Sequence, residues 1–221
     1  MADSESAQQA GAKAQRGGGS REVIVGAAER LFLERGFGMV SVDHLAEAAG
    51  VARRTLYNQF SGKEEIFREM LLRVSDQLED ALPPGIEALG SVEDVLWLIA
   101  RAIQDLHARP HYLGFLRMVV ADSRQFPWIA EAFAEVMDPH SERFAHYLAH
   151  LTDRGVLDCR DPALAVRQFA GILNMFFLWP WMIGRKGPSI AAEEVIEDTI
   201  QMFLQHYRRP EPGERDHSIG A

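Results

Sequence analysis

Residues 41–66 read SVDHLAEAAGVARRTLYNQFSGKEEI, and their spacing decides the fold of the first part of the chain. Val42, Leu45, Ala46 and Ala49 recur at i, i+3, i+4 and i+7, which gives a short helix one apolar face, with Ser41 as its N-cap. Gly50 stands where the chain leaves that helix with φ > 0, and Val51 plugs the corner against a second helix of about two turns. Two short helices meeting across such a corner form a helix-turn-helix. In the second helix, Leu56 and Phe60 lie four residues apart and face inward, which leaves Arg53, Arg54, Thr55, Tyr57 and Asn58 mostly outward.

Those outward side chains suit DNA. An arginine fork at the N-terminal end of a recognition helix matches O6 and N7 of guanine, so Arg53 and Arg54 are the base-reading candidates. Thr55, Tyr57 and Lys63 are placed for phosphate oxygens, Asn58 for either role, and Ser41 completes the DNA-binding set. A third helix follows from a capping box of Ser61 and Glu64, and its free amides beside Lys63 offer another phosphate site.

The segment resembles the DNA-binding domain of TetR/AcrR-like transcriptional regulators. Their pattern is close to T-x-x-x-I-A-x-x-A-G-V-S-x-G-T-L-Y-x-H-F-x-x-K-E-x-L, and Ala46, Ala49, Gly50, Val51, Thr55, Leu56, Tyr57, Phe60, Lys63 and Glu64 match it. Three positions depart. Ala52 replaces the serine that usually caps the recognition helix, at a cost of roughly 1 kcal/mol. Gln59 stands where histidine is common, and Arg54 where glycine is common. Arg54 adds a group that contacts bases or phosphates, so operator sequences do not carry over from relatives.

Composition bounds the rest. The 221 residues are 47% apolar, enough for a small domain and a larger one. Net charge is −9, which argues against coating nucleic acid by bulk charge; residues 1–63 carry 8 Lys and Arg against 7 Asp and Glu, and the remainder 15 against 25. DNA affinity must then come from a local patch on the first domain. Cys159 is the single cysteine and no charged-then-apolar signal opens the chain, so a reducing cytoplasm is expected. The most apolar stretch, residues 169–183, is shorter than the ~20 residues a bilayer needs and contains Asn174 and Pro180, so no membrane span is expected. His146 and His150 are one turn apart, as are His107 and His111, but Pro110 interrupts the second pair, and neither HExxH nor Cys-x-x-Cys occurs. With no glycine-rich phosphate loop and no G-x-S-x-G elbow, we expect no catalysis, metal or cofactor.

In chain order, residues 1–19 are polar and Gly-rich and are expected to form a loose tail, whose Lys13 and Arg16 offer at most a basic arm to a minor groove. Residues 20–66 form the DNA-binding domain. Its first helix is expected from Arg21, capped by Ser20, to Arg35, with Ile24, Ala27, Ala28, Leu31 and Phe32 inward and Gly36 as its stop. Residues 67–207 form the second domain. Within it a helix from Gly62 or Lys63 runs to about Leu82 and is ended by Pro83, Pro84 and Gly85. A Ser91 and Asp94 capping box opens the next, to about Arg109, and another covers 111–123. Pro127 to Met137 follows, then a helix from N-cap Asp138 and Pro139 to about Arg154. Asp161 and Pro162 start one that reaches about Ile183, and Ser189 caps the last, to about Tyr207. No strand pattern occurs, so the fold class is all-α with nine or ten helices. Residues 208–221 are expected to be loose.

Phe169 to Met182 place apolar groups around a whole helix, which must be covered on every side. A two-fold homodimer through this helix and the last one is the simple solution, with Phe169, Phe176, Phe177, Ile196, Ile200 and Phe203 in the seam of a four-helix bundle, as the resemblance also implies. Two recognition helices about 34 to 36 Å apart then read a palindromic operator in double-stranded DNA. The resemblance further implies a small-molecule effector pocket in the second domain. Trp97, Phe115, Met118, Trp128, Phe133, Met137, Phe144 and Met175 suit a plastic apolar cavity, or simply pack. Asn174 and Arg117 are placed for a ligand's polar group, or for a hydrogen bond across the dimer or a salt bridge. Release of a repressor by its ligand is the family's usual sense. A second domain that answers to a protein partner, or to no ligand, is the alternative.

Overall fold

A computed structural model describes residues 2–81, 85, 90–185, 187 and 189–209, with side chains from residue 19 onward except 77, 78, 80 and 81. Its ten named helices are α1 (Ala2–Arg35), α2 (Val42–Ala48), α3 (Arg53–Gln59), α4 (Lys63–Ala81), α5 (Val92–His107), α6 (Pro110–Asp122), α7 (Trp128–Asp153), α8 (Pro162–Phe177), α9 (Trp179–Met182) and α10 (Ala192–Tyr207). The chain divides into two compact units, Met1–Asp76 with Gly114–Val136, and Gln77–Leu113 with Met137–Ala221. This partition differs from a contiguous boundary at residue 66. Most of α4, to Asp76, most of α6 and the start of α7 belong with the helix-turn-helix, where Ile66, Phe67, Met70, Phe115 and Ile129 are buried.

In the first unit, α1 lies against α2 and α3. It buries Ile24, Val25, Ala27, Ala28 and Phe32, and Leu45 and Leu56 are fully covered. A cluster of rings extends this core: Phe37 lies 5.2 Å from Phe32, Phe126 and Trp128 by centroid, and Phe67 lies 6.0 Å from Phe115. Tilted and edge-to-face pairs of this kind contribute about 0.5–1.5 kcal/mol each beyond the area they bury. Gly36 ends α1 at φ +79°, as its position predicts. The second unit has its own core, in which Leu96, Leu148, Phe169, Leu173 and Ile196 from four helices are fully covered. Its last helix is tied down where it ends, since Asp158 N–H donates to the Tyr207 carbonyl at 2.7 Å and Arg209 N–H to Val156 at 3.3 Å.

Several boundaries differ from expectation. Helix α1 begins at Ala2, not near Arg21. The predicted loose tail contains five Ala and three Gln, good helix formers, beside its four Gly, and they continue the turn set by the buried part of α1. Glu65, not Glu64, closes the box at the start of α4: its Oε2 accepts from Ser61 N–H at 2.7 Å, because the first helical residue is Lys63. Asp138 caps nothing. Pro139 lies inside the continuous α7, which carries on past the one hydrogen bond a proline cannot donate. Pro180 does break the helix expected to reach Ile183, and α8 stops at Phe177 before the single turn of α9. The last helix is capped by Ala191 without a side-chain bond, not by Ser189, and Glu193 and Glu194 in its first turn complement the dipole instead. Arg209, expected in a loose tail, is held as above, and Arg208 N–H donates to the Leu204 carbonyl at 2.7 Å. Residues 210–221, and the expected stop at Leu82, Pro83 and Pro84, lie outside the described residues.

Candidate nucleic-acid interface

The recognition helix is built from short-range rules. Ser41 Oγ accepts from His44 N–H at 3.2 Å while Ser41 N–H donates to His44 Nδ1 at 3.3 Å, a capping box with histidine in the place of Glu or Gln. Gly50 turns the chain at φ +64°. Ala52 then starts α3 with no side-chain cap. On α3 only Leu56 is buried; Arg53, Arg54, Tyr57 and Asn58 are exposed and Thr55 is half-buried. The five outward residues therefore present one polar face of the kind that a major groove accepts.

The two arginines differ. Arg53 Nη1 lies 3.1 Å from Asp43 Oδ1, and its guanidinium sits 5.6 Å above the Tyr57 ring. A hydrogen bond that Arg53 donates to the Tyr57 hydroxyl, and then the Asp43 carboxylate, raise its already high pKa. Arg54 makes no ion pair among the described residues. Asp43 was not among the expected site residues; its signal in the sequence is an acid in the first turn of α2, a position also favoured by the helix dipole.

Lys63, expected on a phosphate, is half-buried and turns its ammonium back onto its own unit. Its Nζ donates to the Phe37 and Val40 carbonyls, each at 3.0 Å, and lies 4.3 Å over the Phe37 ring. Burial lowers its pKa. Two of its three donors thus close the turn between α1 and α2, beside Phe37 N–H donating to Asp122 Oδ2 at 2.7 Å. Arg21, also unforeseen, clasps the far end of α3. It donates to the Gln59 carbonyl and to Glu69 Oε2, each at 2.8 Å, and stacks 4.2 Å over Phe60. Arg21 holds the Glu69 carboxylate below its ordinary pKa.

A profile described as "Bacterial regulatory proteins, tetR family" matches residues 24–70, and one described as "AefR-like transcriptional repressor, C-terminal domain" matches residues 94–209. The HTH-type transcriptional regulator EthR of Mycobacterium tuberculosis is 37% identical over 193 residues, which are 85% of this chain and 87% of EthR. The chain belongs to the TetR family of transcriptional regulators. Among solved structures, the Flavonoid-responsive Regulator FrrA superposes with a TM-score of 0.74 at 29% identity, covering 86% of this chain and 98% of FrrA. A TetR family regulator from Pseudomonas syringae pv. tomato gives 0.71 at 29% identity, with 86% and 97% covered. The protein is a DNA-binding transcriptional regulator, and the members of this family are transcription factors, not enzymes. No helix among the described residues is long and apolar enough to cross a membrane.

For a TetR-family protein the second functional question is the outer face of α8 and α10. Phe169, Ile196, Ile200 and Phe203, expected in the dimer seam, are buried in their own chain's core, where Phe169 stacks on Phe144 and Phe203. Periodicity gave α8 and α10 their apolar residues but not which stripe faces home. Phe176 and Phe177 are half-buried. The outward face forms an open groove of about 650 Å³, lined by Phe169, Phe176 and Phe203 of that expected set together with Ile172, Met175 and Met202 and, at its rim, Arg167 and His206.

The expected ligand residues divide between the two units. Phe115, Met118, Trp128 and Phe133 belong to the first unit; Trp97, Met137, Phe144, Asn174 and Met175 belong to the second. Phe115 and Met118 are buried, and Phe115 and Trp128 pack in the ring cluster. Met175 is 60% exposed in the outer groove, so it is removed from an enclosed pocket. Trp97, Phe133, Met137, Phe144 and Asn174 are half-buried. His107, weighed with His111 as a metal pair and set aside, is buried at the end of α5, its Nδ1 has no hydrogen-bond partner, and burial lowers its pKa to about 4.

Proposed function

We propose that the protein is a cytoplasmic, homodimeric repressor that binds a palindromic operator through α3 and is released by a small, largely apolar ligand. The observation that carries this reading is the exposed polar face of α3, with Arg53 and Arg54 at its N-terminal end. Arg53 and Arg54 read bases, Thr55, Tyr57 and Ser41 fix register on phosphates, and Asn58 serves either role. The groove on α8 and α10 supports self-association: Ile172, Met175 and Met202 present apolar surface that a second copy of the same pair covers by two-fold symmetry. Support for repression is the match of residues 94–209 to a repressor C-terminal domain. Support for an effector is the flavonoid-responsive neighbour at 29% identity, which points to aromatic, sparingly polar compounds. Such a ligand acts only through a difference in affinity between the DNA-competent and the released state, with the placement of α4 as the variable.

A second reading is favoured by Trp179, Trp181, Ile183 and Ile190, which are exposed around α9 and suit a protein partner in place of a ligand. Fluorescence anisotropy of the protein against DNA from its own upstream region, with scrambled DNA as control and a panel of aromatic small molecules, separates the two. Specific binding weakened by a compound supports the ligand-responsive repressor. Specific binding that no compound changes favours the partner reading, and equal binding to both DNAs refutes operator recognition there.

A further inference from the structure

Arg53 is held from two sides before any DNA arrives. Asp43, from the first turn of α2, approaches Nη1 at 3.1 Å with Oδ1 and 3.4 Å with Oδ2, and the Tyr57 ring lies under the guanidinium. Both partners of the pair are more than half exposed, so this is a surface contact on the DNA-facing side and not part of the core. Nη2 and Nε remain free of Asp43, and two adjacent N–H donors are what the O6 and N7 of a guanine require. Arg54, one residue on, has no such carboxylate among the described residues.

We infer that Asp43 is a specificity-determining positioning residue: it directs Arg53 onto a guanine and makes the alternative contact, Arg53 on a phosphate, unfavourable. The inference rests on the operator-binding reading above. When Arg53 faces guanine, the Asp43 pair is kept and the carboxylate stays neutralised beside the polyanion. When the base is wrong, Arg53 gains phosphate affinity only by leaving Asp43, which then stands as an uncompensated negative charge close to DNA. The acid thus weakens binding to non-cognate sequence more than to cognate sequence, which is specificity by penalty as well as by attraction. Asp43→Asn removes that penalty and frees Arg53 to seek phosphates.

The test uses the full chain. Sites are selected from random duplex DNA with the wild type, and anisotropy titrations then compare wild type, Asp43→Asn, Asp43→Glu and Arg53→Ala on the recovered site, on its single-base variants and on random duplex, at two salt concentrations. Asp43→Asn is expected to lower the preference for guanine at the Arg53-dependent position by at least about fivefold, within the range one bidentate contact supports. The loss should come chiefly from tighter binding to variant and random DNA, with the random-DNA salt slope steeper by about one ion. Asp43→Glu should restore much of the preference. If Asp43→Asn shifts affinity for all sequences by the same factor, or if no guanine preference depends on Arg53, the inference is overturned while operator binding stands. If the wild type selects no sequence, operator binding itself fails and the inference falls with it.

Discussion

Replacing Lys63 by Met separates a structural lysine from a DNA-contacting one. Met keeps most of the apolar stem over Phe37 and removes only the ammonium, which donates to two main-chain carbonyls at 3.0 Å each. A hydrogen bond to a charged group contributes about 1.5–3 kcal/mol, and the partial exposure of Lys63 puts each bond at the low end, so the pair amounts to about 3 kcal/mol. That is a large share of the ~5–15 kcal/mol that holds a typical domain. Urea unfolding followed by tryptophan fluorescence is the assay, because Trp128 packs 5.2 Å from Phe37 and reports on this turn. The expected result is a lower midpoint with unchanged slope in urea, and, under conditions where the variant is folded, a salt dependence of DNA binding like that of the wild type. Stability within about 0.5 kcal/mol of wild type, together with a salt slope reduced by about one ion, would refute the reasoning and return Lys63 to the phosphates.

Burial sets a pH limit through His107. Its native pKa of about 4 lies below the ordinary value near 6.5, so between these values the unfolded chain binds the proton and the native one does not. Stability therefore falls as pH drops from 6.5 toward 4, by about 3 kcal/mol from this residue, and His107→Leu should flatten that limb of a stability-against-pH curve. Ala52→Ser supplies the cap that α3 lacks and should add roughly 1 kcal/mol, read as a higher urea midpoint with DNA contacts intact. Ile172→Glu places a carboxylate in the groove on α8 and α10; sedimentation should show a monomer and operator affinity should collapse, whereas a stable dimer would move the seam elsewhere.

The helix-turn-helix was legible because each of its devices is local. Ser41 as a cap, Gly50 at positive φ and the missing cap at Ala52 are all decided within four residues, and the structure shows each as the spacing predicts. The capping boxes at Ser91 and the Asp161–Pro162 start were readable for the same reason. Proline was less reliable. Pro180 stops a helix and Pro139 does not: α7 buries Ile129 and Ala132 before Pro139 and Tyr147 and Leu148 after it, and this packing at both ends holds a helix that lacks one hydrogen bond. Lys63 shows the limit at the site itself. Its place in the motif is the same whether it serves a phosphate or the turn, and only the carbonyls of Phe37 and Val40, more than twenty residues earlier, distinguish the two.

Helices α8 and α10 show why a dimer seam is hard to read from sequence: Ile196 and Ile200 of the expected set pack in their own chain's core, whereas Phe169, Phe176 and Phe203 also line the outer groove. A period of 3.6 residues identifies apolar stripes, but a helix buried on one face by its own chain and on another by a partner carries two of them, and the pattern does not label either. Phe169, Ile196, Ile200 and Phe203 are rigid aromatic or β-branched residues, which suit a close-packed core where each makes many contacts. The stripe left over, Ile172, Met175 and Met202, is interrupted by Gly171 and flanked by Arg167 and His206. That composition suits a surface kept in water until a second copy arrives: a small residue for close helix approach, pliable methionines that adapt to their symmetry mates, and polar groups at the rim. In this chain the residues that explain the fold and those proposed for assembly therefore lie on the same two helices, and Phe169 and Phe203 stand at the border, packed in the core and lining the groove.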